Sequence, residues 1–304
     1  MNGFGSAAES PQVSGRWLLG AVASTVAAAA LCGWCALCLL FWQGSWQLLY
    51  HPASAITRTP ASAGLAFDTV GFAATGTGVP RLSGWWIPAA PSSALSAAFS
   101  RVTVLYLQGQ NGNLRDTVDA LARLHAVGVN VLAFDYRGYG QSEFVRPSEE
   151  HWRQDADSAL AYLTATRHVE MDTIVLDGNG LGANLALEVA AAHSELAGVV
   201  LDSPLEDPMA AILNDACARL VPAHLLARDR YDLNQAATAL RIPSLWLERI
   251  AQPGQSGSTH EPNAYRKAQA QKMLVWLNPS ADADKQLADA LSRWLDDLLQ
   301  SDVH

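Results

Sequence analysis

Lysine is nearly missing from this 304-residue chain, which carries only Lys267, Lys272 and Lys285. Charge of either sign is sparse at 16%, and 20 basic against 29 acidic residues leave a net −9. A nucleic-acid binder needs a basic footprint to neutralise phosphates, so that class is excluded. No polybasic patch exists for anionic lipid headgroups either. Cysteine is scarce. Cys32, Cys35 and Cys38 fall inside one apolar run and Cys217 stands alone downstream, which excludes a disulfide scaffold. No spacing of His, Cys and acidic residues matches a metal motif, and no cofactor is implied. What the chain has in quantity is apolar surface, at 50% of residues. A sizeable core follows, and wholesale disorder is excluded.

After a tail of residues 1–16, no charge occurs from Trp17 to Trp42. At ~1.5 Å per residue this stretch makes a helix of ~39 Å, enough to cross a ~30 Å hydrocarbon core with some tilt. Trp17 at one end and Trp42 with Trp46 at the other fit interfacial aromatic belts. A cleavable signal has an apolar stretch of only ~7–15 residues, so a retained single-pass anchor over 17–43 is expected. The membrane is then the first partner. Arg16 precedes the helix and no Lys or Arg follows until Arg58, which places the folded part on the extracytoplasmic side. Residues 44–66 read as a juxtamembrane linker, and 67–304 as one folded domain.

Within that domain, short apolar runs recur at Phe67–Ala74, Leu82–Ile87, Arg101–Leu107, Val129–Phe134, Thr173–Asp177, Gly198–Asp202, Pro243–Leu247 and Met273–Leu277. From the third onward they are nearly continuous in hydrophobicity, as in strands covered on both faces. Helical patterns lie between them at Asn113–Ala126, from Ser148, at Leu181–His193, at Glu261–Gln271 and from Asp284. Strands alternating with helices imply right-handed crossovers and an eight-stranded, mostly parallel sheet. The first two runs are joined by a short turn at 75–80, so the second strand is expected to be antiparallel. A cap-like segment is expected at about 205–234. Its apolar run from Leu220 to Leu226 is read as core.

In such a sheet, ligands sit at the carboxyl ends of the strands. The loops there read Gln108-Gly109-Gln110-Asn111-Gly112, Asp135-Tyr136-Arg137-Gly138-Tyr139-Gly140-Gln141-Ser142, Gly178-Asn179-Gly180-Leu181-Gly182 and Ser203-Pro204. With Leu48-Leu49-Tyr50-His51-Pro52 ahead of them, these motifs resemble the α/β-hydrolase superfamily, and most of all its membrane-anchored Bem46/ABHD-type branch. The resemblance covers residues 48 to 300, and Phe134–Ser142 is its most specific piece.

That resemblance implies a serine on a Gly-x-Ser-x-Gly elbow, with an acid and a histidine on later loops. Here Gly178 and Gly182 keep the small flanks, but the nucleophile position is Gly180. The acid position falls on Gln252 and the histidine position on Asp282. Gln108 stands where the oxyanion loop usually has histidine. Backbone N–H groups of Gln110 and Leu181 are the oxyanion equivalents, since they depend on fold rather than side chain. Asn111, Asn179 and Glu248 complete the expected pocket. Glu248 beside Arg249 reads as a solvated ion pair. Ser142 and His260 read as turn residues, and His125, His168 and His193 as helix-end residues; the resemblance implies a Ser-Pro-like pair at Ser203 without a nucleophilic role.

Three readings follow. The first is a membrane-anchored pseudo-hydrolase that binds a small-molecule ligand or a protein partner. The second is an active hydrolase (esterase, lipase or peptidase-like) with an unorthodox site, in which Glu248 or Asp282 activates water. The third is a membrane assembly module.

Overall fold

The computed structural model describes residues 14–73, 79, 81–90, 94–250, 260–278 and 282–301. Its centre is an eight-stranded sheet: β1 Asp68–Phe72, β2 Leu82–Ile87, β3 Thr103–Leu107, β4 Asn130–Asp135, β5 Ile174–Asn179, β6 Gly198–Asp202, β7 Ser244–Arg249 and β8 Lys272–Leu277. The spatial order is β1-β2-β4-β3-β5-β6-β7-β8. Strand β2 runs antiparallel to both its neighbours, and every other pairing is parallel. The chain has the α/β-hydrolase fold.

Helices cover both faces. On one lie α3 (Glu149–Ala165) and α4 (Leu181–Ala192); on the other lie α2 (Val118–Val127) and α5 (Ala283–Ser301). Local chemistry explains where they begin. Ser148 caps α3 by accepting the His151 N–H, and Glu149 and Glu150 sit in its first turn, where acidic groups oppose the positive helix end. Ahead of α2, Asn113 and Asp116 form a reciprocal capping box. The spacing of Trp152, Ala156, Ala159 and Leu163 puts one stripe of α3 wholly inside. Trp152 stacks on Tyr136 at 4.0 Å, with Tyr50, Tyr139 and Tyr231 edge-on around it.

Helix α1 (Gly15–Gly44) is long and apolar enough to cross a membrane by length and composition. Most of it is exposed, but its end is docked. Phe41 is buried, the Trp34 indole N–H donates to the Leu220 carbonyl at 3.0 Å, and Arg228 lies over the Trp42 ring at 4.4 Å. Residues 44–66, read from sequence as a linker, run stitched along the domain. Leu49 and Tyr50 are buried, His51–Pro52 pairs in parallel with Asn111–Gly112, and the Asn113 amide donates to the Ala53 and Ala55 carbonyls. Tyr50 reaches the Tyr231 hydroxyl at 3.0 Å, so this segment closes the aromatic cluster rather than hanging free.

Two expectations need correction. The helix read over Glu261–Gln271 is confined to Asn263–Lys267. It stops because the chain must turn into β8, whose first residue, Lys272, donates to the Tyr265 and Ala268 carbonyls and so takes over acceptors that a longer helix would have used itself. The run Leu220–Leu226 is also not simply core. Val221 and Ala223 are buried, whereas Leu220 is 63% and Leu225 82% exposed; the Leu220 carbonyl receives the Trp34 indole N–H of α1.

The Phe134–Ser142 run is an architectural knot. Asp135 accepts from the Leu114 N–H and the Gln108 amide, and Arg137 pairs with buried Asp155. A Cβ on Gly140, where φ is +50°, would overlap the Asp135 carboxylate, so only glycine closes this turn. Ser142 donates to the Asp135 carbonyl and accepts the Ser83 N–H, tying the turn to β2. Ser142→Ala leaves that half-buried N–H without its partner, and a loss of about 1–2 kcal/mol is expected from urea unfolding.

Candidate functional site

Strand β5 ends at a tight turn into α4 whose tip is Gly180, at φ 55° and ψ −122°. A residue with a side chain is strained there. The flanking glycines answer to sterics: a Cβ on Gly178 would lie 2.4 Å from the Gly182 carbonyl, and one on Gly182 would lie 2.2 Å from the Leu107 carbonyl. A Cβ on Gly180 would meet only the Gln110 carboxamide oxygen, at 3.2 Å. The turn thus has the geometry of a nucleophile elbow, with room at its tip and no side chain there.

Gln110 fills part of that room. Its Oε1 accepts the Leu181 N–H at 3.2 Å, so the amide matched to anion stabilisation is already engaged. The Gln110 backbone is held in turn, its carbonyl accepting from the His51 N–H and the Tyr139 hydroxyl at 2.9 Å each. The Gly180 N–H donates to the Asp202 carbonyl. The sequence points to the backbone of residue 110, yet its side chain makes the contact, because glycine at 180 leaves the space.

The remaining candidates scatter. Gln108 is buried and turns away from the mouth, its amide donating to Asp135 at 3.2 Å. Its Oε1 is also buried and has no hydrogen-bond partner among the described residues. Asn111 is exposed, in the short pairing with His51. Asn179 is half-buried, with its carbonyl packed close to Gly109. Asp282 precedes α5, and its carbonyl accepts the Gln286 N–H. Gln252 lies outside the described residues. Glu248 is half-buried near the end of β7; burial first, then the negative charges of Glu206 and Asp202, push its carboxyl up to about 7. The expected Glu248–Arg249 pair does not form. Neighbours on a strand point to opposite faces, and Arg249 instead contacts Asp202 at 2.9 Å.

Sequence reasoning passed over a second group. Between the sheet and helices α2 and α5 lies a cavity of about 190 Å³ whose polar wall includes Tyr106, Asp177, Asn179, Asp202, Arg123 and Arg249. The signal was present as Asp177 and Asp202 within otherwise apolar strands, but only the register brings them together. Among the described residues, no group of three or more His, Cys, Asp and Glu side chains is placed to hold a metal.

Residues 99–298 match the family model described as serine aminopeptidase, S33. The YfhR protein of Salmonella typhi is 30% identical over 220 residues, covering 66% of this chain and 69% of that one. Rv2307c of Mycobacterium tuberculosis is 31% identical over 171 residues, 55% of this chain, and the match spans only 56% of that relative's length. Among solved structures, the esterase Pf2001 of Pyrococcus furiosus superposes with a TM-score of 0.58 at 17% identity, over 81% of this chain and 98% of that one. An α/β hydrolase from Vibrio vulnificus gives 0.54 at 18%, over 80% and 82%. These likenesses carry the fold. The family match covers well over half of the sequence, and the chain belongs to the S33 family of α/β-hydrolases.

Proposed function

We propose that this chain is a membrane-anchored, non-catalytic member of its family that binds a small ligand or a partner at the elbow mouth. One observation carries the reading: a glycine stands at the elbow tip, and the Gln110 carboxamide oxygen holds the Leu181 N–H in its place. An acyl-transfer site needs an attacking oxygen and free donors for the developing anion. The positions matched to acid and base, Gln252 and Asp282, point the same way.

The test is turnover of p-nitrophenyl acetate and of leucine p-nitroanilide by the full chain in detergent micelles. No rate above buffer is expected with either substrate. A rate that co-purifies with the protein and disappears in Gly180→Val, or in Gln110→Glu should that variant not fold, would overturn the proposal. Gly180→Ser is expected to restore no activity, because a serine without a base stays unactivated. Strain at its positive φ is expected to cost that variant about 1–3 kcal/mol by thermal unfolding.

A second reading is favoured by Glu248, whose carboxyl at about 7 suits a general base. Under it, a pH-dependent hydrolysis would be lost in Glu248→Gln. The anchor reading adds an orientation, with the domain on the extracytoplasmic side. Cys217 is exposed, so an impermeant maleimide added outside sealed cells is expected to label the chain, and Cys217→Ser to remove the label. Labelling only after the membrane is opened would reverse the orientation.

A further inference from the structure

The cavity behind the elbow is built from groups that a chain selected for stability alone would not place there. On that face β5 and its neighbours contribute Val175, Val200, Leu245 and Leu247, all buried. Asp177 breaks the pattern. It is 9% exposed, and among the described residues its carboxyl receives no hydrogen bond. Burying an unpartnered carboxyl is costly. Across the cavity, the Arg123 Nε on α2 is buried and likewise has no hydrogen-bond partner, although the far end of its guanidinium pairs with Asp284 at 3.3 Å. One wall therefore holds an unmet acid and the other an unmet guanidine N–H.

The neighbours are already engaged. Asp202 is held by Arg249 at 2.9 Å and by the Ser203 hydroxyl at 2.8 Å. Register sets Tyr106 beside Asp177 and Asn179 beside Asp202, so Tyr106 and Asn179 add polar atoms to the same face. The rest of the lining is aliphatic: Leu124, Val200, Leu247, Leu287 and Leu291. At about 190 Å³ the space is smaller than a drug-sized pocket of roughly 300–1,000 Å³. It suits a molecule with an amine, a carboxylate and a short branched chain.

We propose that this cavity binds a small aliphatic amino acid, its ammonium received by Asp177, its carboxylate by Arg123, and its side chain by the leucines between α2 and α5. The site is separate from the elbow mouth and does not depend on whether the elbow is catalytic. Binding should release a proton. Burial, with the charge of Asp202, raises the Asp177 carboxyl to about 8, and Arg123 pulls the other way. Near neutral pH the empty site therefore holds mostly the protonated acid, and pairing with an ammonium ionises it. The other charged groups on the cavity are Arg249 from β7, Asp116 from the turn entering α2 and Asp119 in the first turn of α2, with Asp284 of α5 behind Arg123.

The experiment is calorimetric titration of the full chain in detergent micelles with L-leucine near neutral pH, in phosphate and again in Tris. Saturable binding is expected, with a heat that differs between buffers by the released proton. Isopentylamine and 4-methylpentanoate, each carrying half of the recognised charge, are expected to bind at least about tenfold more weakly. Asp177→Asn is expected to weaken leucine by about tenfold or more and to abolish the buffer dependence. Should Asp177→Asn fail to fold, Arg123→Gln serves: it is expected to weaken leucine while leaving isopentylamine unchanged. No saturable heat from folded protein at about 10 mM leucine, about ten-thousandfold above a Kd of ~1 μM, would overturn the proposal. So would leucine binding that is undiminished in these variants, or isopentylamine binding as tightly as leucine.

Discussion

Asp155→Ala is expected to cost the fold about 3–5 kcal/mol, because it strands a buried guanidinium. Asp155 on α3 is fully buried and Arg137 is 7% exposed. The carboxylate accepts from the Arg137 Nε and, at 2.8 Å, from the Arg137 backbone N–H. Burial raises the Asp155 carboxyl to about 6 against the pull of Arg137, so it is ionised at neutral pH. The guanidinium also donates to the His151 carbonyl and the Gln154 carboxamide. One pair thus clamps the turn after β4 to the first turns of α3. Removing both charges has a different consequence. A buried ion pair replaced by apolar groups of similar volume is often neutral for stability, so Arg137→Met with Asp155→Leu is expected to recover most of the loss. A double-mutant cycle by urea unfolding reads the difference. If Asp155→Ala costs no more than a surface substitution, the pair is not the clamp described here.

This matters for what the motif means. Phe134–Ser142 is the stretch by which the superfamily is recognised in the sequence, and its polar groups are spent on structure: Arg137 and Ser142 hold the turn, while Asp135 and Tyr139 tie it to the Gln108–Leu114 loop. Recognition of the fold and recognition of the chemistry therefore come from different residues. The strands were readable because runs such as Leu82–Ile87 and Gly198–Asp202 are bounded by turn residues and match the observed elements; the Ser148 cap was readable because its hydrogen bond is local. The role of Gln110 was not. Its carboxamide meets Leu181, 71 positions away in sequence, and only in the space left by a glycine. Asp177 and Arg123 were hidden for a similar reason. A lone aspartate in an apolar strand becomes informative only when register and a crossing helix show that nothing within reach satisfies it. The end of the Glu261–Gln271 helix turned on Lys272, a residue whose reach backwards to helix carbonyls cannot be read from periodicity.

Stability is expected to fall as pH rises from about 4 to about 8, with Asp177 as the largest single source. Its carboxyl moves from an ordinary 3.8 to about 8 on folding. Between those values the native state binds more protons than the unfolded chain, so each step up in pH favours unfolding. The contribution is fully present below the unfolded value and is lost as pH passes the folded one. At ~1.4 kcal/mol per unit, the full swing is on the order of several kcal/mol. Glu248 and Glu188, each raised by burial to about 7, act in the same direction over a narrower window. Exposed carboxylates held low by arginine neighbours, such as Asp119 with Arg58 and Glu150 with Arg153, work the other way but only in more acidic solution. Asp177→Asn removes the titrating group and keeps its shape. Its melting temperature is expected to exceed that of the parent chain above pH 8 by about 4 °C or more, and to match it closely near pH 4. Two parallel melting curves across that range would mean that Asp177 is ionised and satisfied in the folded protein. The charge on the cavity wall would then already be met from within the chain.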